Sequence, residues 1–179
     1  MVNGNSKGAN FENDICRLIS RWVVPTTPLD AKMENLPFRR RFTASVSLEG
    51  HWASHGDVLC KPGIEFPFSV ECKKIEQWEL DSLLQLSDGP IWKWWRQAVE
   101  QADRAGNWPL LIFARNRIEP YVLLDESVSL CLRLLPLTAP VLHFNRPRDP
   151  RALALARLDD LLATDARKLR NLATKTKSR

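Results

Sequence analysis

Gly56-Asp57-Val58-Leu59-Cys60 and Phe68-Ser69-Val70-Glu71-Cys72-Lys73 are the two stretches on which the reading of this chain turns. Each has the pattern of a short, half-buried strand, apolar where it faces a core and charged at fixed places. In the second, Glu71 and Lys73 are two positions apart. An extended backbone therefore sends both side chains off one face, separated by roughly 7 Å of rise, while Val70 and Cys72 take the other face. Lys61-Pro62-Gly63 lies between the stretches, and an antiparallel hairpin folded there would set Asp57 beside Glu71. Two carboxylates and an ammonium in one small volume make a divalent-metal site with a lysine over it. The plainer alternative is a surface ion pair of Glu71 with Lys73 or Lys74, worth about 1 kcal/mol or less when exposed. Phe68 and Val70 argue against it, because a central strand is a costly place for idle charge.

Composition bounds the rest. With 179 residues, 44% hydrophobic and 26% charged, the chain reads as one globular domain with appendages. No apolar run approaches the roughly 18 residues that cross a bilayer, and Met1 to Lys7 lacks the apolar centre of a signal peptide, so a cytoplasmic protein without membrane association is expected. Cys16, Cys60, Cys72 and Cys131 are dispersed, with no C-x-x-C pair. They read as buried thiols, the alternative being a Cys60–Cys72 disulfide that a reducing compartment disfavours. The net charge of +5 and pI near 9.2 suit a polyanionic partner. The excess is local: residues 146–179 hold ten Lys or Arg against four Asp, leaving 16 basic and 17 acidic residues elsewhere.

In chain order, Phe11, Ile15, Leu18, Ile19 and Trp22 recur at helical spacing, predicting an amphipathic helix over Ala9 to Val23 after Ser6-Lys7-Gly8. Glu12 lies near its start, where interaction with the helix dipole is explanation enough on its own. Pro25 to Pro37 is a connection. Phe38-Arg39-Arg40-Arg41-Phe42, continuing to Val46, has strand character. Its arginines can grip phosphates bidentately, with Lys74 as a further basic contact, or can serve as the charged guard of a solvated edge strand. His51 and His55, in the polar loop Gly50 to His55, are metal-ligand or proton-carrier candidates, with bystander histidines as the alternative. A helix over Trp78 to Leu86 is expected, ended by Ser87-Asp88-Gly89-Pro90. A second, over Ile91 to Ala105, sets Trp92, Trp95, Val99 and Ala102 on one side, chiefly as core. Gln97 and Gln101, one turn apart on it, can face the charged end of the sheet. Leu110 to Ala114 and Tyr121 to Leu124 read as strands joined in a hairpin. Ser127 to Leu135 reads as a helix, Pro136 to Pro150 as loop. From Pro150 onward Leu155, Leu158, Leu162, Leu169 and Leu172 suggest a helical extension with a basic end at Lys175 to Arg179.

This order resembles the PD-(D/E)XK nuclease superfamily, and within it the compact Holliday-junction-resolvase-like members. The resemblance is carried by Gly8-Ala9-Asn10-Phe11-Glu12, Gly56-Asp57-Val58 and Val70-Glu71-Cys72-Lys73-Lys74, supported by the helix of Trp95 and Gln97 and the strand Leu110 to Ala114. It spans about residues 6 to 125. It departs in two places: Gly56 stands where the motif name expects proline, and the loop Ser47 to His55 is long. The resemblance implies an α/β, restriction-endonuclease-like core with a central mixed sheet flanked by helices over residues 1–135, followed by a Pro-rich connection and a basic helical C-terminal extension over 136–179.

The chemistry then follows from charge. One or two Mg²⁺ or Mn²⁺ ions would be held by Asp57, Glu71 and the backbone carbonyl of Cys72, with Lys73 orienting or deprotonating the attacking water. The resemblance implies that Glu12 reaches the cluster as a partner of the ligands or as ligand to a second ion. Gln97 would hydrogen-bond the water or a phosphate. The expected activity is a metal-dependent DNA endonuclease, selective for Holliday-junction or other branched DNA in recombination or repair and acting as a homodimer. The alternatives are a nuclease of plain duplex or DNA ends, and a non-catalytic nucleic-acid-binding protein using Arg39, Arg40, Arg41 and the basic tail.

Overall fold

The computed structural model describes residues 4–41, 53–76, 89–135, 141–145 and 152–176. Helix α1 (Gly4–Val23) starts earlier than its apolar pattern does and buries Phe11, Ile15, Cys16, Ile19 and Trp22 along one stripe. Pro25, which cannot continue a helix, follows its end, where the Thr27 hydroxyl donates to the Val24 carbonyl at 2.7 Å.

Two sheets follow. The smaller joins β1 (Phe38–Arg40), β2 (Ala53–His55) and β3 (Val58–Cys60), antiparallel, in the order β1-β3-β2. The larger contains β4 (Phe68–Lys74), β5 (Trp108–Ala114), β6 (Tyr121–Asp125), β7 (Leu142–Asn145) and β8 (Ala152–Arg157), in the order β4-β5-β6-β8-β7. Strands β4 and β5 are parallel and the other pairs antiparallel, so the sheet is mixed. Helix α2 (Pro90–Ala105) makes the crossover that the parallel pair requires and ends at Gly106, whose φ of +68° suits a residue without a Cβ.

Helices cover both faces. On one, α1, α3 (Glu126–Leu132), α4 (Leu158–Leu162) and α5 (Leu169–Thr176) share a core with Val70, Cys72, Leu110, Ile112 and Leu124. On the other, Ile91, Trp92, Trp95 and Ala98 of α2 pack on Leu111, Phe113, Leu123, Leu153 and Leu155. All seven residues of β5 are buried, as its unbroken apolar run requires. Edge-to-face contacts of Phe66 with Phe38 and Phe68, at 4.7 and 5.5 Å, clamp the small sheet to the start of β4.

Three expectations are corrected. The stretch Lys61-Pro62-Gly63 does not fold Val58–Cys60 back onto β4 as an antiparallel hairpin. Strand β3 pairs with β1 and β2 instead, and among the described residues a single parallel bridge, Gly56 to Val70, is the backbone pairing between the two sheets. The span Pro136 to Pro150, expected as loop, contains β7. The expected helix from Pro150 onward begins as a strand: Ala152–Arg157 forms β8 between β6 and β7, and the helices start only at Leu158. These strands tie residues 142–145 and 152–157 into the sheet of the preceding residues. The Trp22 indole donates to the Thr164 carbonyl at 2.9 Å and Lys168 Nζ to the Leu132 carbonyl at 2.9 Å, which fastens the following segment too.

All four cysteines are free thiols, three of them buried. Burial pushes the thiols of Cys16 and Cys60 up to about 12, so neither is a nucleophile at neutral pH. No helix among the described residues is long and apolar enough to cross a membrane. The expected helix over Trp78 to Leu86, the basic segment beyond Arg41 and His51 lie outside the described residues.

Candidate active site

Gly56 and Asp57 are the two-residue connection of the β2–β3 hairpin, with His55 paired to Val58 across it. Gly56 has φ +81°, at the first central position, where the tight hairpin turns that match strand twist call for glycine. A Cβ there would meet the Val70 carbonyl oxygen at 2.3 Å and Gln101 Oε1 at 2.8 Å. Proline, locked near φ −65°, is excluded, and so is any other side chain.

That close approach docks the turn on the outer edge of β4. The Asp57 N–H donates to the Val70 carbonyl at 2.8 Å, and the Cys72 N–H donates to Asp57 Oδ2 at 2.8 Å. The Arg41 N–H donates to the Asp57 carbonyl at 2.9 Å, so β1 is fixed to the same residue. Strand alternation sends the Cys72 carbonyl out of the same edge as its N–H, beside the carboxylate it holds.

Glu71 and Lys73 leave β4 on the face covered by α2, opposite Leu111 and Phe113 in register. Glu71 is fully buried, and Lys73 Nζ forms an ion pair with its Oε1. Beyond that ion pair neither Glu71 oxygen is closed off by a well-directed hydrogen bond, although the Gln101 amide faces it. From α1, Glu12 completes the group, its Oε2 3.6 Å from Arg40 Nη1.

Charge couples these side chains. Burial raises the Glu71 carboxyl above its ordinary range and the Asp57 charge raises it further, against Lys73 and Gln101. Burial likewise raises Asp57, opposed by the Cys72 N–H, Lys73, Arg41 and Arg40. Glu12 is raised by burial and then by Asp57 and Glu71, with Arg40 and Lys73 working the other way. Three mutually repelling carboxylates held by the fold, one of them buried, form a site that favours additional positive charge.

The donors are hard oxygens, which suits Mg²⁺ or Mn²⁺ rather than a soft ion. Among the described residues no three acidic, thiol or imidazole side chains converge into a ligand cage by themselves. An ion held by Asp57, Glu71 and the Cys72 carbonyl would have to keep several of its waters, as Mg²⁺ readily does.

The structure thus brings together Glu12, Asp57, Glu71, Lys73 and Arg40. Arg39 is half-buried on β1, Arg41 is exposed beside Asp57, and Lys74 is exposed with its ammonium 5.5 Å from the centre of the Phe11 ring. Gln97 is exposed, and the amide that meets Glu71 is Gln101, one turn later. The signal for it was in the helical pattern: four residues rotate about 40° around the axis, which carries Gln101 toward the buried stripe of Trp95, Ala98 and Ala102.

Comparison with known proteins adds one match. The profile of the family described as "Phage putative PDDEXK endonuclease" matches residues 3–143. No curated protein and no solved structure matches the chain.

Proposed function

The chain belongs to the phage PDDEXK endonuclease family, and from that premise we propose that it hydrolyses DNA phosphodiester bonds with Mg²⁺ or Mn²⁺ held by Asp57, Glu71 and the Cys72 carbonyl. The observation that carries this reading is Glu71: a fully buried carboxylate, paired to Lys73 and set beside a second carboxylate pinned by a backbone N–H. A cation bound there supplies a Lewis acid for the scissile phosphate and lowers the pKa of a coordinated water.

The protein's own groups do the rest. Asp57 is oriented before any ligand arrives, because its Oδ2 is fixed by Cys72 and its backbone by Val70 and Arg41. Lys73, about a quarter exposed, reaches from the buried Glu71 toward solvent, where its ammonium orients the attacking water and offsets charge growing on the phosphate. Glu12 partners the ligands or holds a second ion. Gln101 keeps Glu71 in place, and Gln97 faces solvent on the same helix side for the incoming phosphate.

Branched DNA as the preferred substrate rests on the resolvase-like sequence motifs. Cutting both strands of a junction needs two such sites, hence a homodimer. Labelled four-way junctions, flaps, nicked and linear duplexes incubated with Mg²⁺, wild type beside Lys73→Ala, test the proposal. Junction cuts lost in Lys73→Ala are expected. Equal cutting by both proteins sinks the site, equal use of all substrates sinks the selectivity, and a monomer by light scattering sinks the dimer.

A further inference from the structure

We propose that Arg40 links cation binding to DNA binding: it is the counter-ion of Glu12 in the free protein and passes to a substrate phosphate when a divalent cation takes its place. The inference rests on the nuclease reading above and assigns the pocket next to the carboxylates to the phosphodiester backbone flanking the cut.

Arg40 stands between two surroundings. On one side its Nη1 is 3.6 Å from Glu12 Oε2, both side chains about a quarter exposed, at 23% and 24%. Its charge is also felt at Asp57, so Arg40 offsets two of the three carboxylates, while Lys73 acts on all three. On the other side it lines a cavity of about 260 Å³ with Arg39, Asn13, Met33 and Glu34. The charged residues of that lining are Arg39 and Arg40 against Glu34, a net positive balance that suits a single phosphodiester. The Arg40 backbone has no such freedom: it pairs with Val58 in β1, and the next N–H is bonded to the Asp57 carbonyl. Only the side chain can exchange partners.

The exchange has a physical cause. A cation taken up between Asp57 and Glu71 adds positive charge beside Glu12, weakening its hold on Arg40. A guanidinium released there meets phosphate oxygens that it can grip with two parallel hydrogen bonds, a stronger pairing than the long contact it leaves. Linkage makes the effect reciprocal, so the cation raises DNA affinity by the factor by which DNA raises cation affinity.

The test uses Ca²⁺, which allows binding to be followed without turnover. Calorimetry of the full chain gives Ca²⁺ affinity, and fluorescence anisotropy of a labelled duplex gives DNA affinity in Ca²⁺ and in EDTA. Arg40→Gln is expected to bind Ca²⁺ about five-fold tighter, the competition of one partly exposed ion pair having been removed. It is also expected to lose the gain in DNA affinity that Ca²⁺ gives the wild type. Arg40→Lys, which keeps the charge and the fold but not the fork, should keep wild-type Ca²⁺ affinity and only part of that gain. An unchanged gain in Arg40→Gln overturns the proposal, whether or not Ca²⁺ binds more tightly. If the wild type binds no Ca²⁺ and cuts no DNA with Mg²⁺, the nuclease reading falls with it. If the wild type does both and Arg40→Gln matches it throughout, only the link falls.

Discussion

The backbone N–H of Cys72 donates a 2.8 Å hydrogen bond to Oδ2 of Asp57, which binds a carboxylate from one sheet to the outer edge of another. Strand β4 thereby sets the two acids on different supports: Glu71 by its own side chain, Asp57 by an edge N–H. Asp57→Asn keeps an acceptor for that N–H and removes the charge. Cleavage should fall at least about 10³-fold, the scale seen when a group stabilising transition-state charge is lost. DNA binding in Ca²⁺-free buffer should persist. Initial rates on labelled DNA beside an anisotropy titration measure both, and a variant cutting at wild-type rate would remove Asp57 from the site.

The turn that delivers Asp57 depends on Gly56. Gly56→Ala places a Cβ 2.3 Å from the Val70 carbonyl at a φ of +81°, so the turn must both strain and lift off β4. A destabilisation of about 2–4 kcal/mol is expected from combined backbone strain and overpacking, with cleavage falling alongside it. Urea unfolding at equilibrium reads the first. A variant as stable as the wild type would mean that the bridge to Val70 contributes little.

How much of this was legible in the sequence differs by residue. Glu71 and Lys73 were placed on one face because strand parity needs no knowledge of partners. Asp57 was expected beside Glu71, but by a hairpin that does not form, because its actual route depends on a positive φ at Gly56 and on which strand forms the edge of the sheet. Ala152–Arg157 misled for a different reason. Alanine and leucine are the strongest helix formers, and nothing local in Ala-Leu-Ala-Leu-Ala reveals strands waiting on both sides. Pairing with β6 and β7 and burial on two faces override the propensity. Leu142–Asn145 was hidden by the prolines around it, and its pairing with β8 is equally non-local.

The three carboxylates also set the pH response. Glu12, Asp57 and Glu71 all have folded-state pKa values raised above those of an unfolded chain, chiefly by burial. The folded protein therefore holds more protons than the unfolded one, and unfolding free energy falls as pH rises through the raised values. In EDTA the melting temperature should decline from the ordinary carboxylate range upward. Added Mg²⁺ or Ca²⁺ should restore it at neutral pH, because a cation that binds only the folded state stabilises it. Glu71→Gln should melt higher than the wild type in EDTA at pH 8 and lose most of the rise with Mg²⁺. Melts in EDTA that are flat with pH would contradict the raised values.

The two glutamines of α2 separate positioning from exposure. Gln101 faces Glu71 and closes over Gly56, so it braces Glu71 and the turn carrying Asp57 at once. Gln97 is exposed one turn away. Gln101→Ala should weaken cation affinity or activity by about 10- to 100-fold, the usual cost of removing a partner that orients a metal ligand. Its defect should shrink at high Mg²⁺, because what is lost is the geometry that favours the ion. Gln97→Ala should leave cation affinity unchanged and act only through substrate, as a raised KM. Mg²⁺ titrations of initial rate at saturating DNA distinguish the two. A Gln97→Ala defect cured by Mg²⁺, with Gln101→Ala silent, would reverse the assignment.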